Sequence, residues 1–91
     1  MILTGKCRDE FLDWSFKNVS MVFNGCPESV EHALIIDFFD SVGIYVITSY
    51  GVISNSWMFS VKKETGNFYS SRTQATTEAI KKANEIFNSR T

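Results

Sequence analysis

The stretch Asp37-Phe38-Phe39-Asp40-Ser41-Val42-Gly43-Ile44 constrains the fold more than any other, because two incompatible backbone periods meet in it. Before Gly43, the residues Ala33, Leu34, Ile35, Ile36, Phe38, Phe39 and Val42 leave almost no polar stripe apart from Asp37, Asp40 and Ser41, which is the pattern of a buried central helix. After it, Ile44-Tyr45-Val46-Ile47-Thr48 is β-branched and aromatic, the composition of a strand. Gly43 is therefore expected in the left-handed C′ position with Ile44 as its apolar C″ contact, so that the helix stops and the strand begins at once.

The other elements follow from period and punctuation. Thr4 is placed to cap a first helix that opens with Gly5-Lys6-Cys7 and ends near Asn18, with Cys7, Phe11 and Trp14, joined by Leu12 and Phe16, as its apolar side. Met21, Val22 and Phe23 anchor a connector, Asn24-Gly25 marks a turn, and Pro27 suits the first turn of the second helix. Trp57-Met58-Phe59-Ser60-Val61 pairs with the first strand as a hairpin, with Trp57, Phe59 and Val61 on one face. Glu64-Thr65-Gly66-Asn67 reads as a turn and Phe68-Tyr69-Ser70 as a short edge strand. Ser71 and Gln74 form a capping box for a last helix from Arg72 to near Asn88, lined by Ala75, Ala79, Ala83 and Ile86. The order α-α-β-β-β-α, without repeat or linker, predicts one α+β domain over residues 1–91, a three-stranded antiparallel sheet packed against helices.

Charge divides the chain where the periods meet. Residues 1–43 carry three basic and seven acidic side chains, net -4, and residues 44–91 carry six basic and three acidic, net +3, within an overall charge of -1. With eight Phe, two Trp and three Tyr in 91 residues, more aromatic surface is present than so small a core absorbs. A homo-oligomer or a partner-binding face is the expected use, with Trp14, Phe16, Tyr45, Tyr50 and Tyr69 as contact residues. No secretory signal or membrane-length apolar run occurs, so a soluble cytoplasmic protein is expected, with Cys7 and Cys26 as free thiols.

Catalytic and metal chemistry find little footing. Cys26 and His32 are the one conceivable thiol–imidazole pair, but no orienting group or oxyanion hole accompanies them. Asp37 and Asp40 share a helical face, and Asp40 lies where the helix dipole disfavours it, so a tether to a neighbouring loop or to Arg72 is expected in preference to a cation site. No cofactor or metal is expected, and the chain reads as non-enzymatic. Nucleic-acid or nucleotide binding is the stronger alternative. The second helix, three strands and last helix have the order of a double-stranded-RNA-binding domain, and Lys62, Lys63, Arg72, Lys81 and Lys82 supply positive charge. The lysine cluster that grips phosphates in that family is absent from the start of the last helix.

Three segments carry a resemblance: Leu3-Thr4-Gly5-Lys6-Cys7, Asp37 through Ile44, and Arg72 with Ala75 leading to Ala79-Ile80-Lys81-Lys82-Ala83-Asn84-Glu85-Ile86-Phe87-Asn88. Through them the chain resembles a group of small uncharacterised proteins that recur in tailed phages and prophages of Bacteroidota-type gut bacteria. It departs from that pattern at Thr73-Gln74, where a proline and an acid are usual. The resemblance implies a phage or prophage accessory protein inside a bacterial host cell, binding a host protein or itself, with antagonism of a host defence as one such role. It implies no activity and no catalytic residue.

Overall fold

The computed structural model describes residues 1–18 and 27–90. It contains α1 (Gly5–Asn18), α2 (Glu28–Ser41), β1 (Val46–Gly51), β2 (Ser56–Val61), β3 (Glu64–Tyr69) and α3 (Arg72–Ser89), which is the expected α-α-β-β-β-α order of an α+β fold. The strands form an antiparallel meander in the order β1-β2-β3. Trp57, Phe59 and Val61 turn one face of β2 toward α3, whose Ala75, Ala79 and Ala83 are buried and small enough to let the helix lie close on the sheet. Ile80 and Phe87 look the other way, into Phe11, Ile35, Phe38 and Phe39 of α1 and α2. Phe38 is the hub of that second layer, with ring centroids of Phe11, Trp14, Phe39 and Phe87 all within 5.8 Å.

The glycine junction forms as expected. Gly43 has φ +79°, its N–H donates to the Asp40 carbonyl at 3.2 Å, and the Ile44 N–H reaches back to Phe39 at 2.9 Å. These two bonds define a Schellman cap, and Ile44 is fully buried. Arg90 adds a third tie by donating from Nη1 to the Val42 carbonyl at 3.2 Å.

Several elements depart from expectation for identifiable reasons. In α1 the buried stripe is Cys7, Phe11 and Ser15, a strict i, i+4, i+8 line; Leu12 and Phe16 fall outside it and are exposed, and Trp14 is half-buried. Helix α2 is buried only at His32, Ile35, Phe38 and Phe39, while Val30, Ala33, Asp37 and Asp40 are exposed, so it lies at the surface of the helical layer. Pro27 precedes that helix as its N-cap, its carbonyl accepting from Val30 and Glu31. Glu64–Asn67 is strand and not turn: the chain reverses at Lys62-Lys63, with Lys62 at φ +55°. Gly66 serves pairing, because it lies opposite Phe59, whose ring occupies the space a Cβ would need. The sheet then runs on through an irregularity opposite Trp57 and Phe59.

The start of α1 is capped by the far end of the chain. Asn88 Oδ1 accepts from the Cys7 N–H at 2.9 Å, the orphan donor that a capping threonine side chain would normally take. Asn84 Oδ1 accepts the Thr4 N–H at 3.0 Å, and its Nδ2 donates to Thr4 Oγ1 at 2.9 Å. Thr4 thus contributes its carbonyl to the Arg8 N–H, as an N-cap should, while its hydroxyl is engaged by α3. At the start of α3 the Ser71 hydroxyl accepts from Gln74, as the capping box requires, and Gln74 returns to Ser70, one residue before the expected partner.

Candidate functional site

The five basic residues are distributed over three places. Lys62 and Lys63 form the β2–β3 reversal, beside Glu64 and Ile86. Lys82 faces the same end: its ammonium pairs with Glu85 at 3.1 Å, and the hydrogen bond it donates to Glu85, then the charges of Glu85 and Glu64, raise its pKa above the ordinary lysine value. Lys81 turns toward α2 and pairs with Glu78 at 3.3 Å. Arg72 sits ten residues earlier than Lys82, about 15 Å away along the helix axis, with its guanidinium 5.6 Å from the centroid of the Trp57 ring. One phosphate-tracking stripe does not result.

Arg72 is accordingly not the partner of the α2 carboxylates. Among the described residues neither Asp37 nor Asp40 makes an ion pair, and both are exposed. The expected tether is replaced by the backbone cap at Gly43 and by Arg90. His32 is buried, with Nε2 3.8 Å from Glu28 Oε1, and lines a cleft of about 590 Å³ with Ser29, Arg72, Thr73 and Thr76. Cys26 lies outside the described residues, as does the connector with Met21, Val22, Phe23 and the Asn24-Gly25 turn. Among the described residues no cluster of three His, Cys, Asp or Glu side chains could hold a metal ion. Cys7 is fully buried, and burial, then the nearby Glu10 carboxylate, push its thiol up to about 12, so it stays protonated and inert near neutrality.

The aromatic candidates separate into two groups. Phe16, Tyr45 and Tyr50 are exposed, although Tyr50 also leans on Trp57 with centroids 5.4 Å apart. Trp14 is half-buried against Phe11 and Phe38, and Tyr69 is half-buried in a stack on Phe59. These two belong to the border of the core.

Sequence reasoning missed an exposed apolar surface on the sheet. The sheet face opposite α3 carries Ile47 of β1, Met58 of β2 and Phe68 of β3, with Ser49, Ser60 and Thr65 between them. Ile47 is 58% exposed and Phe68 74%. The alternation was present in Tyr45-Val46-Ile47-Thr48, whose odd members face away from Phe59 and Val61. Phe68 has a second peculiarity: its φ is +72°, the left-handed region in which a bulky side chain is an outlier. At the tip of the β1–β2 hairpin Val52 and Ile53 are also exposed. Among the described residues no helix is long and apolar enough to cross a membrane. No protein-family model, no curated protein and no solved structure matches the chain.

Proposed function

We propose that the protein is a non-enzymatic accessory protein of a phage or prophage that works by stoichiometric binding to a macromolecule of its bacterial host. The observation that carries this reading is Phe68. Holding a phenylalanine in the left-handed region costs about 1–2 kcal/mol, and a side chain left 74% exposed recovers little of that by burial. Backbone outliers of this kind are retained where a site needs the side chain aimed in one direction. Alternation with Tyr69, which stacks on Phe59, puts Phe68 on the open sheet face, the face that also carries Met58 and Ile47, where it is an exposed aromatic anchor. Antagonism of a host defence system is the role that such a binder would fill.

Nucleic-acid binding has less support, since Lys81 and Lys82 are paired with glutamates and Arg72 is stacked on Trp57. The discriminating experiment is capture from a lysate of the bacterial host, read by mass spectrometry, with the wild type and Phe68→Asn side by side. Asparagine tolerates positive φ and removes the ring. The expected result is a discrete host protein retained by the wild type, lost from Phe68→Asn, and insensitive to moderate salt. Equal capture by both forms, or a salt-sensitive nucleic acid as the retained species, would refute the reading.

A further inference from the structure

The two edges of the sheet are unlike. At the β3 edge the chain carries Glu64, the flanking Lys62 and Lys63, a pairing irregularity opposite Trp57 and Phe59, and Phe68 at positive φ. Charges and bulges of this kind are how sheets avoid edge-to-edge addition. The β1 edge has none of them. From Ser41 to Val61 the chain contains no Asp, Glu, Lys, Arg or Pro, and among the described residues no backbone–backbone hydrogen bond from outside the sheet reaches Val46–Gly51. Half of the β1 backbone groups therefore point outward from an uncharged, regular strand.

We propose that β1 is the self-association edge, pairing antiparallel with β1 of a second copy about a two-fold axis through Ser49. Three features select a second copy as the occupant. The first is closure. Pairing β1 with its equal gives one continuous six-stranded sheet whose two outer edges are both β3, so the blunted edges end the assembly at two. The second is charge. An isologous contact lays the strand against itself, residue i facing j and j facing i, and a strand without charges meets no like-charge repulsion there. The third is area. Tyr45, Ile47, Val52 and Ile53, each more than half exposed, offer on the order of 500 Å² per copy at roughly 150–200 Å² per fully exposed large side chain. Two copies together reach on the order of 1,000 Å², the lower bound of a specific interface. The Ser49 axis sets Ile47 across from Gly51 and brings Tyr45 of each copy toward the hairpin tip of the other, where Val52 and Ile53 are exposed, so the small residues fall at the centre. The proposal stands on the edge strand alone and needs no host partner, so it can fail while the binding role of Phe68 survives, and the reverse.

Sedimentation velocity from about 5 to 500 µM tests it with the purified full chain. The expected result is a reversible shift from the 10.4 kDa monomer to a dimer and no further. Ser49→Lys, at an exposed position, sets two like-charged side chains directly opposite each other, with Cβ atoms about 5 Å apart across the axis, and should weaken the dimer at least about tenfold. Thr65→Lys, exposed on β3, should leave it unchanged. Ser49→Cys in a Cys26→Ser background should form an interchain disulfide on mild oxidation, whereas Thr65→Cys should not, which keeps the test decisive if the lysine variant folds poorly. A wild type that stays monomeric to 500 µM, open-ended aggregation, a dimer indifferent to Ser49→Lys, or cross-linking through Thr65→Cys alone would each overturn the proposal.

Discussion

Replacing Asn84 by alanine tests the cross-chain cap of α1 directly. Asn84 is buried in α3 and spends both ends of its amide on Thr4, accepting the backbone N–H at 3.0 Å and donating to the hydroxyl at 2.9 Å. Each bond contributes about 0.5–1.5 kcal/mol net, and truncation leaves the part-buried Thr4 N–H without its acceptor, so the gross loss is about 2–3 kcal/mol. Alanine is the better helix former by roughly 0.6 kcal/mol, which offsets part of the loss. The expected net destabilisation is about 1.5–2.5 kcal/mol, or a fall in Tm of roughly 6–20 °C at about 4–8 °C per kcal/mol for a domain of this size. Urea titration followed by circular dichroism measures it. Thr4→Val removes the hydroxyl alone and should cost about 1 kcal/mol. The cycle of Thr4→Val, Asn84→Ala and the double variant should give a coupling energy of at least about 0.5 kcal/mol. A loss below that size for Asn84→Ala, or additive effects, would show that the α1 N-terminus does not depend on α3.

Other consequences are open to single measurements. Cys7 should resist alkylation at pH 8 in the native protein, measured in a Cys26→Ser background, and react on denaturation. Its thiol pKa is raised to about 12 in the fold, so between the ordinary thiol pKa near 8.5 and that value the unfolded chain releases a proton that the native state keeps. Stability should therefore fall with rising pH across that window, and Cys7→Ala should flatten the slope. Gly66→Ala should destabilise by about 1–3 kcal/mol, because its Cβ would meet Phe59 Cζ at 2.8 Å and the Tyr69 hydroxyl at 2.9 Å. Gly43→Ala meets nothing within 4 Å, so only the positive φ resists it; the expected cost is about 1–2 kcal/mol, with Gly43→Asn milder.

What could be read from the sequence was whatever depends on near neighbours. The stop at Gly43 needs only a helix, a glycine and an apolar residue after it, and the Ser71 cap needs only Gln74 nearby. The alternation Trp57, Phe59, Val61 fixed the face of β2 for the same reason. Errors arose where a distant residue overrode a local tendency. Thr65, Gly66 and Asn67 have turn character, but pairing with β2 and the Phe59 ring above Gly66 make them strand. Leu12 and Phe16 suit a helical face, yet α3 and α2 meet the line of Cys7, Phe11 and Ser15 instead. The surface missed most completely, around Ile47 and Phe68, demanded knowing that, among the described residues, the helices pack on one face of the sheet. The expectation for Arg72 failed similarly, since Trp57 becomes its neighbour only once β2 and α3 are packed.

The last two turns of α3 attend to the ends of both other helices: Asn84 and Asn88 close the beginning of α1, and Arg90 reaches the carbonyl of Val42 at the end of α2. On the ribosome, which delivers the chain from its first residue onward, α1 must therefore wait for a partner some eighty residues downstream before its exposed amides are satisfied. Without α3, the start of α1 lacks its cap and the aromatic faces of α1 and α2 lack Phe87 and Ile80 to pack on. Closure of both helix ends therefore depends on the last two turns of α3.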